Sequence, residues 1–104
     1  MPKILVSNTD REVMAELGAR LRAYRLQQNV TVAHVARQSG LNKNTILNAE
    51  WGKNPRLRTI ISLLRAYGRL EALDSFLPVP TISPLQLVRD QGRLRRRARA
   101  RRRG

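Results

Sequence analysis

Lys43, Asn44, Leu47 and Asn48 carry the most suggestive chemistry in this chain of 104 residues. Asn44 and Asn48 stand four apart, as do Lys43 and Leu47, so a helix through them presents all four on one side. An Asn carboxamide pairs a donor with an acceptor and matches the N6–N7 edge of adenine. A Lys ammonium reaches guanine O6 or N7, and a Leu side chain packs on a thymine methyl group. On an arbitrary helix such residues form a solvated face. Their meaning depends on the elements that hold them.

Residues 31–52 read as two short helices joined at Gly40. Thr31 caps the first, and Val32, Val35 and Ala36 give it one narrow apolar face. Gly40 supplies the left-handed residue that ends it, and Leu41 plugs the turn. Asn42 caps a second helix in which Ile46 and Ala49 look inward, leaving Lys43, Asn44, Leu47 and Asn48 free. This is a helix-turn-helix, whose second helix is shaped to enter a DNA major groove. Asn42 and Thr45 sit at that helix's start, where free amides and hydroxyls suit a phosphate. Lys53, Asn54, Arg56 and Arg58 flank the groove as backbone contacts.

Charge points the same way. The chain holds 21 Lys+Arg against 7 Asp+Glu, a formal net charge of +14. Residues 1–88 contain twelve Lys+Arg and six Asp+Glu, a net of +6, while residues 89–104 contain nine Arg and one acid, a net of +8. A moderately basic body thus carries a strongly basic tail. A polyanion is the partner this favours, with nucleic acid ahead of an anionic membrane. No apolar run is long enough to span a bilayer, and no signal peptide is expected. The absence of cysteine removes disulfides and thiolate metal sites, which fits a cytoplasmic location.

The remaining elements surround the motif. Lys3 to Ser7 alternates weakly and reads as one short strand or an extended arm within residues 1–8. Thr9-Asp10-Arg11-Glu12 is a capping box opening a helix over about 10–28. Val13, Leu17, Leu21 and Tyr24 are its expected inward stripe, with Arg11, Arg20 and Arg22 in solvent. Lys53-Asn54-Pro55 reads as a turn, and a fourth helix over about 56–67 holds enough apolar residues to be the most buried. Gly68 stops it. Leu70, Leu73, Phe76 and Leu77 stripe a fifth helix with more apolar surface than a small monomer needs, which suggests a dimer contact. Trp51 is expected as a lid over the core edge. Pro78, Pro80 and Pro84 mark a stiff linker, and Ser83-Pro84-Leu85-Gln86 can cap a last helix. Its organisation is then an arm (1–8), a helical domain (9–77), and a linker with an Arg-rich tail (78–104). So many like charges should leave that tail disordered without an anionic partner.

With these motifs placed, residues 17–77 resemble the Cro and phage-repressor family of DNA-binding domains, widely called the Xre family. The resemblance rests on Arg25, Thr31, Val35-Ala36, Gly40, Thr45-Ile46, Glu50-x-Gly52 and the Leu-rich helix after Pro55. It implies an all-α, five-helix, lambda-repressor-like bundle, a homodimer, and binding to a palindromic double-stranded operator. It also implies a mostly buried structural ion pair between Arg25 and Glu50. One position departs from the family: Val32 stands where Gln commonly contacts phosphate and braces a recognition residue. Within the family, Gly52-Lys53-Asn54-Pro55, the segment 61–68 and Ser83-Pro84-Leu85-Gln86-Leu87 look like the regulators encoded beside Hip-type kinase toxins. That likeness implies an antitoxin with a toxin partner.

No Ser-His-Asp set, glycine-rich phosphate loop or inward carboxylate pair is present, so the sequence reads as non-enzymatic and without a cofactor. His34 is the single histidine and reads as an exposed helix residue without partners for a metal. The leading function is a sequence-specific repressor, with an autoregulating antitoxin as a compatible second. The competing class is a nonspecific nucleoid or RNA-binding protein acting through the Arg-rich tail.

Overall fold

The computed structural model describes residues 1–81, 85, 88–89 and 91–92. Among these, the chain is all-helical: α1 (Asp10–Gln27), α2 (Val32–Ser39), α3 (Lys43–Glu50), α4 (Leu57–Ala66) and α5 (Ala72–Phe76). The chain divides into two compact units, Met1–Leu73 and Asp74–Gly104. The expected cap at Ser83, Pro84 and Gln86 and the tail from Arg93 onward lie outside the described residues.

Side-chain caps start the first three helices. Thr9 Oγ1 accepts from the Glu12 amide at 3.1 Å, and the Glu12 carboxylate accepts from the Thr9 amide at 3.0 Å. That backbone bond holds the Glu12 carboxyl below its ordinary value. Thr31 Oγ1 accepts from the His34 amide at 3.1 Å, and Asn42 Oδ1 from the Asn44 amide at 2.8 Å. Gly40 ends α2 with φ +77°. α1, α3 and α4 end on a shared pattern in which a left-handed residue, Asn29 (φ 56°), Gly52 (φ 72°) or Gly68 (φ 69°), and the residue after it both return their amides to carbonyls of the last turn.

The core of the first unit is Leu21, Val35, Ile46, Ala49, Leu63 and Tyr67. Tyr24, Val30, Leu41, Ile60 and Leu64 pack around it, half-buried. α3 touches α1, α2 and α4, so the motif's second helix is wedged among three supports. Its outer face stays free because its inner face is fully used.

Several expectations need correction. Residues 3–7 form no strand. Asn8 Oδ1 accepts from the Leu5 amide at 2.6 Å, and the Asn8 amide donates to Leu5 O at 3.0 Å, folding the arm into a turn. Arg20 is only half-exposed: its Nη2 donates to Pro2 O at 2.8 Å and its Nε pairs with Glu16 at 3.0 Å. On α1, Leu17 is 41 % exposed, and Gly18 is buried in its place. A Cβ at Gly18 would lie 2.5 Å from Glu50 O and 2.7 Å from Ala49 O. The α1–α3 approach is therefore backbone against side-chain-free backbone, and it turns Leu17 outward. α4 is buried on one face only: Leu57 is 60 % exposed, and Thr59 and Leu63 are the residues within the helix that are buried, against Ile46, Ala49 and Glu50 in α3. α5 is a short helix with no buried residue.

Candidate nucleic-acid interface

α3 positions the residues singled out for base reading. Lys43, Asn44 and Asn48 are exposed, and Leu47 is half-buried beside them. Asn42 is exposed, but its carboxamide oxygen is committed to the cap, leaving its NH2 group as the available donor. Thr45 is half-buried one turn into the helix.

The chain then reverses sharply. Gly52 donates to Ala49 O at 3.1 Å and Lys53 to Asn48 O at 2.9 Å, which registers the reversal directly on Asn48. Gly52 must be glycine for two reasons. Its φ is +72°, and a Cβ there would meet Ala15 Cα at 2.8 Å. Asn54 takes a second left-handed conformation at φ 41°, which Asn tolerates better than most residues.

Between α3, this reversal and the start of α4 lies an open cleft of about 360 Å³, lined by Thr45, Asn48, Lys53, Asn54, Pro55, Arg56 and Thr59. The cleft brings Asn48 together with Thr45, Lys53, Asn54 and Arg56. It does not include Lys43, Asn44 or Leu47, which continue along α3, nor Arg58, which is exposed beyond it. Among the described residues, two cations and no acid line its wall. Arg56 is the residue at the start of α4, and among the described residues no side chain caps that helix, so its first amides keep their donors beside those cations. Thr59, buried and polar, was not identified from the sequence. Its one available signal was a hydroxyl residue in the first turn of an otherwise apolar helix.

Arg25 and Glu50 brace the site from behind. Arg25 Nε lies 2.8 Å from Glu50 Oε2 and its Nη2 lies 3.0 Å from Oε1. Arg25 Nη1 also donates to Val30 O at 3.2 Å. The Arg25 side chain is 11 % exposed and that of Glu50 2 %. The hydrogen bond to Glu50 raises the Arg25 guanidinium above its ordinary value despite burial. This fork ties α1 to the last turn of α3 and so fixes where the exposed face points.

Trp51 is no lid on the core. It is 60 % exposed, and Lys53 Nζ lies 5.0 Å from its ring centroid. His34 is exposed, and among the described residues no group of three His, Cys, Asp or Glu side chains could hold a metal ion. Among the described residues, no helix is long and apolar enough to cross a membrane.

A capped helix pair joined by a left-handed glycine, with the second helix exposed beside a cationic cleft, defines a class of DNA-binding proteins. A family model described as a helix-turn-helix domain matches residues 16–76, and the chain belongs to that family. No curated protein matches it. The family is a DNA-binding one and typically non-enzymatic.

Proposed function

We propose that this protein is a sequence-specific transcriptional regulator acting as a homodimeric repressor on a palindromic operator. One observation carries the reading: Asn48 belongs both to the exposed face of α3 and to the cation-lined cleft. A helix laid in the major groove thereby sets Lys43, Asn44, Leu47 and Asn48 against base edges. Thr45, Lys53, Asn54 and Arg56 meet the adjacent phosphates, joined by the Asn42 NH2 group and Arg58 at the margins. The free amides opening α4 add donors for the same strand.

The dimer is proposed through the stripe Leu70, Leu73, Phe76 and Leu77, of which Phe76 and Leu77 are exposed. Two-fold symmetry then places the recognition helices about 34 Å apart, matching half-sites one helical turn apart. The likeness to regulators beside kinase toxins supports a compatible, finer role as an autoregulating antitoxin. The Arg-rich tail of residues 93–104 adds phosphate contacts without choosing sequence.

Selection of bound duplexes from a random library tests the proposal. A palindromic consensus with half-sites about one turn apart is the expected result. Retention without any enriched sequence would favour the nonspecific nucleoid or RNA-binding reading. Light scattering showing a monomer at micromolar concentration, with one copy bound per site, would remove the dimer.

A further inference from the structure

The exposed tryptophan beside the cleft has no work in the core, yet its ring faces one of the cations that line the cleft. Trp51 caps the C-terminus of α3, and Gly52, with φ +72°, reverses the chain before Lys53. The Lys53 amide donates to Asn48 O at 2.9 Å, so the lysine backbone is fixed against the recognition helix. Its ammonium lies 5.0 Å from the Trp51 ring centroid while the residue lines the cleft. A lysine carries a long, mobile stem, and fixing it on binding has an entropic cost. An aromatic face that already gathers the ammonium reduces that cost.

We propose that Trp51 is a positioning residue that holds the Lys53 ammonium at the cleft for a DNA backbone phosphate. The inference rests on the phosphate-binding reading of Lys53 given above. In the complex the ammonium stays between the indole face and the phosphate oxygen. The indole itself makes no base contact and sets no sequence preference.

The test is the binding of a labelled random-sequence 20-base-pair duplex to the full chain, titrated by fluorescence anisotropy at several salt concentrations. The variants are Lys53→Ala, Trp51→Ala, Trp51→Phe and the double variant Trp51→Ala/Lys53→Ala. Lys53→Ala should weaken binding and lower the slope of log K against log salt by about 0.9, one phosphate contact. Trp51→Ala should weaken binding about two- to fivefold with an unchanged slope, because the charge is still present but no longer gathered. Trp51→Phe should fall between it and the parent. In the Lys53→Ala background, removing Trp51 should have no further effect. Trp51 is 60 % exposed, so far-ultraviolet circular dichroism should show each variant folded.

The failures are distinguishable. Parental affinity in Trp51→Ala, with Lys53→Ala weakened, overturns the positioning role and leaves the phosphate reading standing. Additive losses in the double variant overturn it in favour of direct stacking of Trp51 on DNA. An unaffected Lys53→Ala overturns the phosphate contact and the positioning role together.

Discussion

Replacing Arg25 with methionine keeps an apolar stem of similar length but deletes the guanidinium that forks onto Glu50 at 2.8 and 3.0 Å. The Glu50 side chain is 2 % exposed, so little solvent can replace the lost partner. Breaking a buried pair from one side costs about 3–5 kcal/mol, because a charge is left buried and uncompensated. A small domain has a total stability near the lower end of about 5–15 kcal/mol. With a urea slope of about 1 kcal/mol per molar, the Arg25→Met midpoint should fall by about 3–5 M, leaving the variant close to unfolding in buffer. The double variant Arg25→Met/Glu50→Leu removes both charges and should recover most of the loss. Urea titrations followed by Trp51 fluorescence and circular dichroism read both variants. A single-variant loss under about 1 kcal/mol, or a double variant as unstable as the sum of its parts, would refute the argument that this pair bolts α3 to α1.

Gly18→Ala forces a Cβ to 2.5 Å from Glu50 O, so α1 and α3 must separate. Overpacking of this kind costs about 1–3 kcal/mol, and an unchanged melting temperature would show that the contact is slack. Tyr67 places its hydroxyl in the core without a hydrogen-bond partner among the described residues, and burial pushes its phenol from 10.0 up to about 12. The folded state thus favours the protonated form, so this stabilisation is complete below pH 10 and is lost as pH rises towards 12. Tyr67→Phe should be neutral or stabilising near pH 7 and should shed that part of the alkaline loss, as urea titrations at pH 8 and above will check. Removing residues 93–104 should flatten the salt dependence of DNA binding by about 0.9 per lost phosphate contact and leave the selected operator unchanged. Equal slopes for full-length and truncated protein would assign the tail another role.

What the sequence made legible was local chemistry. Thr9, Thr31 and Asn42 announce helix starts because a short oxygen-bearing side chain can reach an unpaired amide. Gly40 and Gly52 announce reversals because left-handed backbone excludes most other residues. The bonds at 3.1, 3.1 and 2.8 Å are those caps. The features it concealed depend on approach between distant segments. Gly18 adds nothing to a hydrophobic stripe, so counting apolar positions assigned its contact to Leu17. The Asn8 side chain competes with strand formation in residues 3–7, and alternation alone does not register that competition. Arg25 and Glu50 are 25 residues apart with no shared periodicity, so family resemblance rather than spacing brought them together. The cleft was legible as a set of flanking cations and amides. Thr59 escaped because its depth is set by how α4 follows the turn at Pro55.

The central claim is that the exposed face of α3 reads sequence, and Asn48 tests it most directly. Asn48→Ala should be measured against the operator recovered by selection and against a scrambled duplex of the same length, at one salt concentration. Loss of a bidentate carboxamide contact predicts operator binding weaker by about 1–3 kcal/mol, with scrambled-duplex binding nearly constant. Equal losses on both duplexes would make Asn48 a backbone contact within its cleft and contradict the account of α3 as the reading helix.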